Sequence, residues 1–291
     1  MTLITGVLTD EYVALMSDRR VTVKNGTRIV SQEDTDTKTI ALGGQFLMGF
    51  TGLARIDKLR IEVWVGRVLN GVKLENYFEV LRQEIEAAFV RERQAGRMPH
   101  AFLAVGYASL RPGGPVYPLC VTISNSFDHR GRFSTAVPTS PQFRISVERL
   151  ANRRQLIVPV GHPVHETALR ALEHRIRVVV RGDPSNPALT IGPLLTALHD
   201  TAKRSRGYVG RDALFASMPR RALPDYSIRC GQDVDYRTQV ASVFLPDGAR
   251  SAEDAIMHMA ALINPQMHIM GIKVFNNKPT TSPADLEGYG P

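Results

Sequence analysis

The chain has 291 residues, 43% hydrophobic and 22% charged, a length and balance that support a buried core and exclude a disordered or fibrous polymer. Lys and Arg number 36 against 28 Asp and Glu, but the excess is dispersed in small groups such as Arg19-Arg20, Arg153-Arg154 and Arg220-Arg221 without interleaved aromatics, which argues for solvated surface over a nucleic-acid footprint. Two cysteines, Cys120 and Cys230, exclude a disulfide framework and favour a reducing, cytoplasmic setting; no apolar run is long enough to span a bilayer, and the first residues lack the basic region of a secretory signal.

Residues 2 to 9 and 12 to 17, apolar segments containing Thr and Val around Asp10-Glu11, read as an opening β-hairpin. A polar stretch from Val23 to Thr37 follows and reads as an enlarged loop. Thr39 to Leu42 and Phe46 to Thr51 then form a second strand pair about a Gly43-Gly44-Gln45 turn. Leu53 to Leu69 and Leu74 to Val90 carry apolar residues at helical spacing, with Gly71 between them and Gly96 and Pro99 closing the second. Strands return at Ala101 to Ala108, Val116 to Ser124 and Gln155 to Val160. Pro163 and Pro193 each suit the first turn of a helix, the first running to about Arg175 and the second towards Ser205. Short strands are expected at Asp212 to Ser217, Tyr226 to Arg229 and Val240 to Leu245. The segregated order of strands, helix pair, strands, helix pair and strands predicts an α+β architecture with helices on the outer faces of stacked sheets. Residues 2–275 read as a single domain, and the Pro-, Thr- and Gly-rich stretch from Asn276 to Pro291 as a flexible C-terminal tail.

The candidate chemistry lies at the start. Met1 precedes the small Thr2, so removal of the methionine would leave a threonine with a free α-amine. A threonine hydroxyl is a poor nucleophile until a base takes its proton, and an α-amine, with a reference pKa of about 7.7 to 8.0, is such a base near working pH. One residue then supplies both nucleophile and base. Two further segments stand out: Ala14-Leu15-Met16-Ser17-Asp18-Arg19-Arg20-Val21-Thr22, which ends the first hairpin, and Lys38-Thr39-Ile40, followed by Phe46-Leu47-Met48-Gly49-Phe50-Thr51-Gly52-Leu53-Ala54.

With these residues the sequence resembles proteasome β subunits and their bacterial relatives, the N-terminal-nucleophile hydrolases, most closely over residues 2 to about 95. The resemblance implies a four-layer αββα sandwich with Thr2 as nucleophile. It makes Asp18 the family's aspartate, Lys38 its catalytic lysine and Gly52 the glycine whose backbone N–H forms the oxyanion hole, with Lys24 a poorer substitute for Lys38. It also implies that Val21, Phe50 and Ala54 line the primary specificity pocket, favouring cleavage after apolar residues. The family's later supporting Ser residues are not clearly matched: Gly161-His162 stands where a Gly-Ser-Gly is expected, and Ser205, with Asp200 nearby, is the candidate counterpart of the other. The implied protein is a threonine-type peptidase in a self-compartmentalising homo-oligomeric ring acting on polypeptides. It needs no cofactor and binds neither nucleic acid nor membrane, and any ATP dependence would come from a separate ATPase unfoldase. The alternatives are a small-substrate amidase and an inactive scaffold of the same fold. His162, His165, His258 and His268 have no partner set that defines a metal site, and Met257, Met259, Met267 and Met270 read as packing residues.

Overall fold

A computed structural model describes residues 2–25, 28–33, 38–42, 45–109, 115–150, 153–220 and 242–244. The expected strand at Tyr226 to Arg229, the expected tail and the methionine group lie outside these residues. The opening hairpin pairs β1 (Leu3–Thr9) with β2 (Tyr12–Asp18) in antiparallel register Ile4↔Ser17 to Leu8↔Val13. Thr9 closes it: its hydroxyl donates to Tyr12 O at 2.8 Å and accepts from Tyr12 N at 2.9 Å. Both strands are buried along their whole length, which is why their sequence reads as a nearly continuous apolar run.

The polar stretch after Asp18 is not a plain loop. Val21–Asn25 (β3) and Arg28–Glu33 (β4) form an antiparallel hairpin with an irregularity between Val23 and Lys24. Its polarity hid it, because its strands pair with each other and not with the two main sheets. Thr39–Leu42 (β5) and Phe46–Thr51 (β6) then pair as expected.

The helix expected from Leu53 begins later. Arg55–Ile56 (β7) and Leu59–Arg60 (β8) make a minimal hairpin through Asp57 and Lys58, at φ +50° and +65°, and only Ile61–Leu69 (α1) is helical. The reason is tertiary. Asp57 N–H donates to Glu92 Oε1 and its carboxylate pairs with Arg91, both at 3.0 Å, so the end of the next helix, Tyr77–Arg91 (α2), holds the turn.

Ala101–Ser109 (β9) and Val116–Ser124 (β10) match expectation, whereas Arg144–Arg149 (β11) is an additional strand paired to β10. Gln155–Gly161 (β12) leads to Glu166–Gly182 (α3), which starts three residues later than expected and ends about two turns further on, and Ile191–Arg204 (α4) leads to Ala213–Pro219 (β13). Ser242–Phe244 (β14) completes the described strands.

The main sheets have orders β12-β1-β2-β13 and β11-β10-β9-β6-β5-β14, antiparallel except for β14 beside β5. Strand alternation sorts their side chains into separate cores. Leu3 and Val7 join Leu172, Ile176 and Leu198 of α3 and α4, while Ile4 and Leu8 join Leu47, Leu103 and Val105 from the other sheet. On that sheet Met48, Phe50 and Phe102 turn away to meet Trp64, Ile85 and Phe89 of α1 and α2. Gly6 and Gly49 let the sheets approach, since a Cβ would lie 2.7 Å from Val105 Cγ1 at the first and 2.9 Å from Ile4 Cγ2 at the second. Among the described residues no helix is long and apolar enough to cross a membrane.

Candidate active site

The beginning of β1, the end of β2, the beginning of β5 and the end of β6 meet at one end of the paired sheets, bringing Thr2, Asp18, Lys38 and Gly52 together. Lys38 lies just before β5, 2% exposed, and its Nζ donates to Thr2 Oγ1 at 2.6 Å. The same ammonium lies 3.4 Å from Asp18 Oδ1 and also donates to the Arg20 carbonyl. The β3–β4 hairpin thus separates Asp18 from Lys38 in sequence without separating them in space.

Asp18, like the neighbouring Arg19, is 0% exposed. The Asp18 carboxylate accepts from Leu3 N at 3.0 Å and Gly210 N at 2.9 Å. Burial pushes its pKa above the ordinary carboxylate value, while the Lys38 ammonium and the two N–H donors pull it down. The net shift is upward, so those donors and the cation offset only part of the cost of burying the carboxylate.

Gly52 follows β6 at φ +110°, a left-handed conformation in which a Cβ would lie 2.4 Å from His100 Nδ1. That nitrogen accepts from Leu53 N at 3.2 Å, holding the turn by which the chain leaves β6. His100 is packed against Phe89, Phe102 and Phe143, and burial drives its pKa down to about 3. It is therefore a neutral acceptor at Nδ1, which leaves the proton on Nε2.

Val21, Phe50 and Ala54 all line a cleft of about 640 Å³ together with Thr2, Lys38 and Met98. Thr2 thus forms part of the cleft wall.

Sequence reasoning missed the backbone and hydroxyl contacts around Thr2. Thr51 Oγ1 accepts from Thr2 N at 3.3 Å, and His162 N donates to Thr2 O at 2.8 Å. Gly161, at φ +102°, is required by this approach, because a Cβ would sit 1.9 Å from Thr2 O. The doublet Thr51-Gly52 and the Gly161-His162 step were the available signals. The Ser205 hydroxyl is engaged away from Thr2: it donates to Ala202 O at 2.9 Å and accepts from Val209 N at 3.0 Å, holding the turn that delivers the Gly210 N–H to Asp18. Asp200 lines a separate 250 Å³ cleft with His165 and Arg204. His162 lines another, of 220 Å³, and burial lowers its pKa. Among the described residues no group of three His, Cys, Asp or Glu is placed to hold a metal ion.

No family model matches the chain, and no curated protein does. Among solved structures it is similar to a Gly-1 mutant of Anbu from Hyphomicrobium sp. strain MC1, at 11% identity and a TM-score of 0.47, covering 91% of this chain and 98% of that one.

Proposed function

We propose that the chain is a threonine-type amide hydrolase of the N-terminal-nucleophile class, folded as an αββα four-layer sandwich, with Thr2 as nucleophile once Met1 is removed. The observation that carries this reading is the 2.6 Å hydrogen bond from a buried lysine to the Thr2 hydroxyl, with Asp18 beside the same ammonium. A fixed positive charge at that oxygen lowers the cost of forming an alkoxide in a place that water screens poorly.

In the proposed reaction the α-amine of Thr2 takes the proton from Oγ1 as the oxygen attacks an amide carbonyl. The oxyanion forms against the backbone N–H of Gly52, and the amine's proton passes to the departing nitrogen. The resulting Thr2 ester is hydrolysed by water, with the same amine as base. Lys38 remains charged throughout, and Asp18 keeps it in place.

The apolar walls formed by Val21, Phe50 and Ala54 favour polypeptides cleaved after an apolar residue. By the resemblance to proteasome β subunits, the working unit is a homo-oligomeric ring, and any ATP-dependent unfolding would come from a separate ATPase.

The deciding experiment is intact mass before and after incubation with an epoxyketone, which bonds to a threonine hydroxyl and its α-amine together. Loss of Met1 and a single stoichiometric adduct are expected, with both adduct and peptide turnover absent in Thr2→Ala. A chain that retains Met1, or a Thr2→Ala variant with undiminished turnover, would sink the reading.

A further inference from the structure

Thr51 ends β6 with its side chain 2% exposed, between the nucleophile and the chain that pairs with it. Its Oγ1 accepts from Thr2 N at 3.3 Å and donates to Thr2 O at 3.5 Å. The carbonyl is held from the other side by His162 N–H, and a Cβ on Gly161 would lie only 3.2 Å from Thr51 Oγ1. The main chain of Thr2 is therefore gripped at both its nitrogen and its carbonyl oxygen.

A hydroxyl has one proton to give. With that proton directed at Thr2 O, only lone pairs of Thr51 face Thr2 N, so once Met1 is removed Thr51 can take an N–H from the resulting amine but cannot occupy the amine's own lone pair. The lone pair is left for the proton of Thr2 Oγ1.

We propose that Thr51 is a catalytic residue that holds the Thr2 α-amine in the orientation of a general base, in the place left by the unmatched serines; this rests on the reaction proposed above. As the Oγ1 proton moves to the amine, Thr51 keeps its own proton and accepts a stronger, charge-assisted hydrogen bond from the ammonium. The interaction thus gains strength as the transition state is approached.

The test compares Thr51→Ser, Thr51→Val and Thr51→Ala with the wild type by peptide turnover across pH and by the epoxyketone mass shift. Serine keeps the hydroxyl, valine keeps the shape without it, and alanine guards against a packing fault in the valine variant. We expect serine to stay within a few-fold of wild type, and valine and alanine to lose roughly ten- to a hundredfold in kcat with KM little changed. The acid limb of the hydroxyl-free variants should move to lower pH, because an acceptor that favours the ammonium has been removed. Wild-type kcat and an unmoved acid limb in valine and alanine overturn the assignment, as does a serine variant as impaired as valine. A wild type without Thr2-dependent turnover instead overturns the underlying reaction, and the role of Thr51 with it.

Discussion

Lys38 and Asp18 are 3% and 0% exposed, and at that depth each charge costs several kcal/mol to desolvate. Such a pair contributes little to stability; in the proposed reaction it supplies a positive charge at the Thr2 hydroxyl. His100 shows the same burial acting on a neutral group. Its pKa falls from an ordinary 6.5 to about 3 because burial excludes the charged form. Between those values the unfolded chain binds a proton that the folded chain refuses, so stability drops as pH falls through 6.5, by at most about 1.4 kcal/mol per pH unit. The loss ends near pH 3, where the folded state also protonates. Urea unfolding of the wild type should therefore weaken more steeply on acidification than that of His100→Asn, whose amide oxygen can still accept the Leu53 N–H. Parallel slopes would remove His100 as a source of acid lability.

At the scale of elements, burial pattern decided which segments were legible. The hairpin of β1 and β2 and the pair β5 and β6 were readable because compact apolar runs bounded by turn residues have few other uses. The hairpin of β3 and β4 and the strand β11 were not, since one pairs outside the main sheets and the other, at a sheet edge, alternates Arg and Glu with Ile and Val. The start of α1 was misplaced because periodicity cannot register a turn held from a distant helix. Lys58, at φ +65° in that turn, carries a conformational cost that glycine does not. Thermal unfolding of Lys58→Gly should accordingly show a gain of up to about 1 kcal/mol. A clear loss would mean that the side chain contributes more than its backbone costs.

For the whole molecule, two sheets drawn close at Gly6 and Gly49, each covered by a helix pair, place the ends of four strands and one cleft together. The proposed ring is the level at which such a cleft would be screened from bystander proteins. Negative-stain images or native mass of the purified protein should show a uniform multi-subunit ring. A homogeneous monomer active on peptides would keep the hydrolase and discard the compartment, favouring the small-substrate amidase.

Composition and periodicity by themselves determined the α+β class, most strands and the existence of both helix pairs, because alternation and apolar runs record which faces leave water. The residues Asp18, Lys38 and Gly52 were marked as candidates by the resemblance of their local motifs to those of proteasome β subunits, not by composition or periodicity. That Lys38 meets Thr2 across an intervening hairpin, that Ser205 serves a turn while Thr51 reaches Thr2 N, and that Gly161 and His162 grip the Thr2 carbonyl were decided only by tertiary structure. These contacts join residues far apart in the chain, many through backbone N–H and C=O groups that every residue carries, so side-chain identity leaves little trace of them.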